Sequence, residues 1–291
     1  MPDIMKLDKV FEPISGDLAR VQALLESEIA QAVERGRTGA SDTFTRKAIS
    51  YLLQKPGKHL RPALVIFASH ATAAGPGNGI GQLPESAIQL AAAIELIHSA
   101  SLVHDDIIDE AQKRRTILSV HRKYGIKIAI LVGDVLFTQA FAMVANLPNV
   151  DDGTKVKLFS SLSDMTKRMC YGEIFEQDAL EDHSPVSKDD YLRVIEYKTA
   201  LLMSAASRCG ATVMHGTEGE IVSLAGYGMH FGYAYQLVDD LRDKDSIYSH
   251  GDGLKSMAED YIARTREDLS AFKDSIYRKG MINLANYVLQ A

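Results

Sequence analysis

Tryptophan is absent from this chain, and cysteine is scarce: Cys170 and Cys209 are the two thiols in 291 residues. They have neither the number nor the spacing of a disulfide framework or a metal knuckle. A reduced, cytoplasmic setting with buried, inert thiols is therefore expected. Excess positive charge is missing too. Against 38 acidic residues stand 32 lysines and arginines, a net charge of −6, which leaves no electrostatic footprint for nucleic acid. No stretch approaches a run of about 18 uninterrupted apolar residues, and Met1 to Lys9 has no signal-peptide core, so no transmembrane segment is expected. Strand-like alternation is scarce, and no low-complexity tract divides the chain.

What is present is helical periodicity. Leu18, Val21, Leu24, Leu25, Ile29 and Val33 recur at the spacing of an amphipathic helix. Ile88 to His104 is rich in Ala, Leu and Ile, with Glu95 and His98 as its main polar interruptions, the pattern of a helix inside an all-helical core. Further helices are predicted at 44–54, 61–71, 126–145, 156–181, 188–209, 218–243, 254–272 and 277–289. Between them lie Pro/Gly punctuations such as Lys55-Pro56-Gly57, Gly75 to Gly79, His183-Ser184-Pro185 and His250 to Gly253. The fold class expected is all-α: one domain over 1–291, a bundle of about ten or more helices around a central apolar cavity.

Two aspartate motifs punctuate these helices. Asp105-Asp106-Ile107-Ile108-Asp109 follows one apolar stretch and Asp239-Asp240-Leu241-Arg242-Asp243 another. On a helix, positions i and i+4 share a face, so Asp105 points with Asp109 and Asp239 with Asp243. Carboxylates gathered on otherwise buried helices repel unless cations separate them. Oxygen-only ligands suit Mg²⁺, which takes one or two carboxylates and shares its remaining shell with water and phosphate. The two motifs read as walls of a site that grips a diphosphate through magnesium. Three basic clusters complement them: Lys58 and Arg61 beside a turn at a helix start, Lys113-Arg114-Arg115 just after the first motif, and Lys198-Thr199 interrupting an apolar helix.

With these residues in order, the chain resembles the trans-isoprenyl diphosphate synthases, an all-α family. The matching segments are Gly57-Lys58-His59-Leu60-Arg61-Pro62, Glu95-Leu96-Ile97-His98, Ser101 to Asp106, Asp109-Glu110, Arg114-Arg115, Gly133-Asp134, Gly172-Glu173, Lys198-Thr199 and Tyr235 to Asp240. The resemblance implies condensation of isopentenyl diphosphate with an allylic diphosphate, by ionisation of the allylic C–O bond and attack of the isopentenyl double bond. It implies that Asp105, Asp109 and Asp239 ligate Mg²⁺, with Asp106, Asp240 and Asp243 in support, Asp243 on the metal side. About three Mg²⁺ per active site are implied once substrate is bound. Arg114, Lys198, Thr199 and Gln236 would contact the allylic diphosphate, and Lys58, Arg61, His98 and Arg115 would hold isopentenyl diphosphate. A homodimer is implied, with the apolar stretch Gly133 to Ala145 as a pairing face. Glu173 and Glu176 either face the cavity near the metals or satisfy local helix pairs.

Product length is expected to depend on the residues one turn before the first motif. Ala100 and Ser101 are small there, which leaves room for a tail of C20 or longer, with Phe137 and Phe141 as floor residues. After Asp243 the resemblance implies an acidic loop flanked by Gly-Lys pairs. Instead residues 244–253 run straight into a terminal segment. Either the chain lacks that loop or residues are left out of its numbering; the second is the expectation. Two other functions compete with this one: a non-catalytic subunit of a heteromeric synthase, and a class I terpene cyclase, which Asp243 and Ile247 disfavour at the positions where such cyclases carry a hydroxyl residue and a glutamate.

Overall fold

A computed structural model describes residues 6–35, 42–53, 57–73, 81–182, 186–243 and 253–290. The N-terminal part contains α1 (Leu7–Phe11), α2 (Ser15–Arg35), α3 (Asp42–Leu53), α4 (Leu60–Ala73) and α5 (Glu85–Ile108). A small hairpin follows, β1 (Lys113–Arg114) and β2 (Ile117–Leu118), then α6 (Val120–Tyr124), α7 (Ile126–Ala145) and α8 (Asp152–Asp182). The C-terminal part runs through α9 (Lys188–Ile195), a π turn (Glu196–Ala200), α10 (Leu201–Val213), α11 (Glu218–Asp243), α12 (Leu254–Asp268) and α13 (Ile276–Val288). The all-α expectation holds.

The core is where the least polar helices meet. In α5 every residue from Ala91 to Ile97 is buried, whichever face it lies on, because α2, α4, α7 and α10 all pack around this helix. α4 is buried continuously from Pro62 to Ala71 for the same reason. α10 and α11 approach closely enough that side-chain size matters. A Cβ on Gly228 would strike the Met203 carbonyl, and one on Gly232 would strike Ala200. Glycine at these two points sets how near the π turn lies to α11.

Three features depart from the expected helix map. The predicted helix 188–209 is interrupted by the π turn at Glu196–Ala200, because an inserted residue leaves no trace in hydrophobic periodicity. The hairpin pairs Lys113 with Leu118 and Arg114 with Ile117, which is too short for an alternating pattern. α12 ends at Asp268, short of Phe272. Residues 55–56, 75–79, 183–185 and 250–252 of the predicted punctuations lie outside the described residues, as do 244–249, where the missing acidic loop would fall.

By length and composition α5 and α7 are apolar enough to cross a membrane. α5 is a core helix, its most apolar stretch 72% buried; that of α7 is 39% buried, leaving Ile126, Ile130, Leu131 and Val135 exposed.

Candidate active site

The first aspartate motif lies where the apolar cover of α5 stops. Asp105 is half-buried, and Asp109 caps the helix C-terminus, its N–H donating to the Asp105 carbonyl at 2.8 Å. Burial, reinforced by the negative charge of Glu173, pushes the Asp105 carboxyl up to about 7. Burial also raises Asp109, against the pull of Lys198. Two carboxyl groups held in disfavoured charged forms are groups that a divalent cation would relieve.

Asp106 points elsewhere. It is 2% exposed, and both of its oxygens accept from Arg114 Nε, at 2.8 and 2.9 Å. Arg114 Nη2 adds a third contact at 2.7 Å. Asp106 thus fixes the hairpin that carries Arg114 and Arg115, and its neighbour at 115 adopts the left-handed conformation (φ 55°). The Arg115 guanidinium sits where a Cβ on Gly57 would fall. The hairpin therefore packs against the turn before α4.

Lys198, on the π turn, is held by α8 through Glu173 Oε2 at 2.8 Å and through Glu176. Burial lowers its proton affinity, but these two carboxylates outweigh that and keep the ammonium charged. Glu173 meets both readings, accepting from Gln177 one turn along α8 at 3.3 Å and lining the cavity beside Asp105, whereas Glu176 pairs across elements with Lys198. That cavity, about 230 Å³, is walled by Ser101, His104, Phe137, Met169, Ile174 and Lys198. Of the proposed chain-length residues, Ser101 and Phe137 line it. Ala100 is fully buried in the main core, and Phe141 packs on Phe159 at 5.3 Å between ring centroids. His104 reaches the backbone of α7 (Nε2 3.1 Å from the Ile130 carbonyl oxygen), and its ring fills the place of a Cβ on Gly133.

The same π turn that turns Lys198 toward the cavity of Asp105 also holds the second motif. Thr199 Oγ1 donates to Gln236 Oε1 at 2.8 Å, and Gln236 Nε2 donates to Asp240 Oδ1 at 2.7 Å. Tyr191 donates to the other Asp240 oxygen. Asp240 thus anchors Gln236. Asp239 faces a small cleft shared with Lys58, Tyr235 and Arg242, whose Nη1 is 3.5 Å from its Oδ1. The side chain of Asp243 lies outside the described residues. Among the described residues no three carboxylate, imidazole or thiol groups converge on one point. The donor set fits a cation completed by ligand phosphate and water rather than a closed protein cage.

A second polar cavity, about 170 Å³, opens between Gly57, Lys58, His59, Arg61, Glu95, His98, Arg115 and Tyr235. It stands at the N-terminus of α4, where unpaired N–H groups favour an anion. Arg61 Nη1 lies 3.0 Å from His98 Nε2, and Arg61 Nε is buried with no hydrogen-bond partner among the described residues. Burial, helped by Arg61 and Arg115, holds His98 well below its ordinary range, so the ring is neutral and accepts from Arg61. A buried guanidinium with a spare donor in a cationic pocket is a site for a phosphate oxygen. Lys58, Arg61, His98 and Arg115, grouped from the sequence, line this one cavity together with Glu95 and Tyr235, to which the sequence gave no role although both stand inside the quoted motifs.

The sequence profile of the polyprenyl synthetase family matches residues 42–261. The chain belongs to the polyprenyl synthetase family. Among curated relatives of this polyprenyl synthetase, the short chain isoprenyl diphosphate synthase of Methanothermobacter thermautotrophicus is 35% identical over 229 residues, covering 78% of this chain and 67% of that protein. Solanesyl-diphosphate synthase 2, chloroplastic, of Oryza sativa subsp. japonica is 34% identical over 244 residues, 84% of this chain and 56% of its own length. The fold matches the crystal structure of geranylgeranyl pyrophosphate synthetase from Pyrococcus horikoshii with a TM-score of 0.85 at 24% identity, covering 99% of this polyprenyl synthetase and 100% of that chain.

Proposed function

We propose that this chain, as a single polyprenyl synthetase domain over 1–291, condenses isopentenyl diphosphate with an allylic diphosphate to make a trans-polyprenyl diphosphate of C20 or longer. One observation carries the reading. The π turn sets Lys198, which is paired with Glu173 and lines the cavity of Asp105, next to Thr199, which bonds Gln236 and through it Asp240 of the second motif. The separate cationic cavity suits a second diphosphate that needs no metal. The family match and the printed names of the relatives support the same chemistry.

In this reading Asp105, Asp109, Asp239 and Asp243 hold Mg²⁺, about three ions with substrate bound, which would neutralise the departing diphosphate. Lys198, Arg114, Thr199 and Gln236 orient the allylic diphosphate. Arg61, Lys58, His98 and Arg115 fix isopentenyl diphosphate so that its double bond faces the allylic carbon. The walls of Phe137, Met169 and Ile174 exclude water from the cation formed on ionisation. The uncovered apolar face of α7, with Phe159 and Ile174 exposed on α8, supports a homodimer; static light scattering should report twice the monomer mass. The free thiols, Cys170 and Cys209, support a cytoplasmic setting.

The deciding experiment is incubation with radiolabelled isopentenyl diphosphate, Mg²⁺ and each allylic primer in turn. Incorporation is expected, with products of C20 or longer by chromatography. A folded protein that fails to incorporate label with every primer tried would overturn the proposal.

A further inference from the structure

Glu95 stands mid-way along α5 on the wall shared by two cavities: the cationic one of about 170 Å³ and another of about 60 Å³ behind the β1–β2 hairpin. It is 8% exposed. Among the described residues Arg61 and Arg115 act on its carboxyl group only through space, with no hydrogen bond to it. A buried carboxyl group without a direct partner, opening into a cavity, is a group awaiting a ligand.

The groups around it come from every neighbouring element. Arg61 faces it from α4, and Arg115 from the hairpin; these attract its negative form through space. His98 lies one turn along α5, Lys58 and His59 on the turn before α4, and Tyr235 on α11. Asp106 and Arg114 line the hairpin-side cavity but are paired with each other. Burial outweighs the arginines and pushes the Glu95 carboxyl up to about 7. His98, by contrast, is held neutral.

An ionised carboxylate would repel an incoming diphosphate; a carboxylic acid would donate a hydrogen bond to it. The negative charge of the ligand itself favours the acid. We propose that Glu95 is a proton-bearing contact of the diphosphate subsite: a counterion to Arg61 and Arg115 while the cavity is empty, and a neutral hydrogen-bond donor to phosphate oxygen once it is filled. One proton comes from solvent, and no bond of the ligand is broken. This inference rests on the cationic cavity being the isopentenyl diphosphate subsite.

The test is calorimetric titration of isopentenyl diphosphate into the full chain, at about pH 7.5, in buffers of different ionisation heat. Wild type should take up more protons per ligand bound than Glu95→Gln, by up to about three quarters of a proton, and the difference should vanish near pH 5. Glu95→Gln, which resembles the neutral acid, should bind within about threefold of wild type. Glu95→Ala should bind roughly tenfold more weakly. Equal proton uptake in wild type and Glu95→Gln would overturn the inference. If that variant does not fold, difference infrared spectra of wild type decide: a protonated-carboxyl band should grow on binding, and its absence overturns the inference. Label incorporation by wild type is measured in parallel. Incorporation without a proton difference rejects the role of Glu95 alone, whereas no incorporation with any primer rejects the function on which it rests.

Discussion

Asp106 accepts from Arg114 with both oxygens, at 2.8 and 2.9 Å from Nε, while Asp105 beside it faces the cavity. Adjacent aspartates therefore do different work. Asp106→Asn should lower the melting temperature, since breaking a buried pair costs several kcal/mol. It should also lower kcat/KM by about tenfold by loosening the hairpin. Asp105→Asn should lower kcat by orders of magnitude with the fold intact, and Asp239→Ala should do the same. Steady-state kinetics with circular dichroism separates the two patterns; equal loss of activity in both, with unchanged melting, would contradict the division.

The raised carboxyl of Asp105 has a stability consequence. It binds its proton more tightly in the folded chain than in the unfolded one, where carboxyl groups titrate near 4. Its contribution to stability is complete below that range and is lost as pH rises towards about 7. His98, held neutral, acts in the opposite direction below about 6.5, so the informative quantity is the difference between variant and wild type. Without ligand, Asp105→Asn should raise the melting temperature by several degrees at about pH 8 and leave it unchanged below about pH 4. Thermal unfolding across this range checks it.

Product length offers a third comparison. Ala100 is 0% exposed in the core, whereas Ser101 lines the cavity below Asp105. The resemblance to the synthase family marks Ala100→Phe as the shortening change. With the cavity in view, Ser101→Phe should shorten the main product by at least one isoprene unit. Ala100→Phe should instead cost about 1–3 kcal/mol through overpacking. Mass spectrometry of the products and thermal melting distinguish them; a Ser101→Phe enzyme with unchanged products would remove the cavity assignment.

Lys198 supplies a fourth. Its ammonium separates Glu173 and Glu176 from each other. Lys198→Met should leave two half-buried carboxylates uncompensated. The variant should bind divalent cation more tightly without substrate yet raise the KM for the allylic diphosphate by about tenfold or more. Metal titration monitored by melting temperature reports the first effect, and initial rates the second.

Much of this was legible in the sequence because helix period and aspartate spacing are local properties. Asp105 and Asp109 follow from i, i+4 geometry, and α5 from its unbroken apolar run. The cationic cavity followed from Gly57 to Pro62 because a turn and a helix start sit next to each other in the chain. What escaped depends on rotation or distance. Which way Asp106 turns is decided by Arg114 across a hairpin too short to show a pattern. Whether Ala100 or Ser101 meets the cavity is a matter of about 100° around one helix. Glu95 looked like an interruption of a core helix because its meaning lies in Arg61 and Arg115, both on other elements.

The π turn at Glu196–Ala200 carries one residue more than an α-helix would need. α9 and α10 are therefore out of step with one another by that residue, and within that turn Lys198 faces α8 while Thr199 faces α11. Deleting any single residue between 196 and 200 would restore an ordinary helix and swing one of the two contacts away by about 100°. Such a chain would be expected to fold more regularly and to work worse.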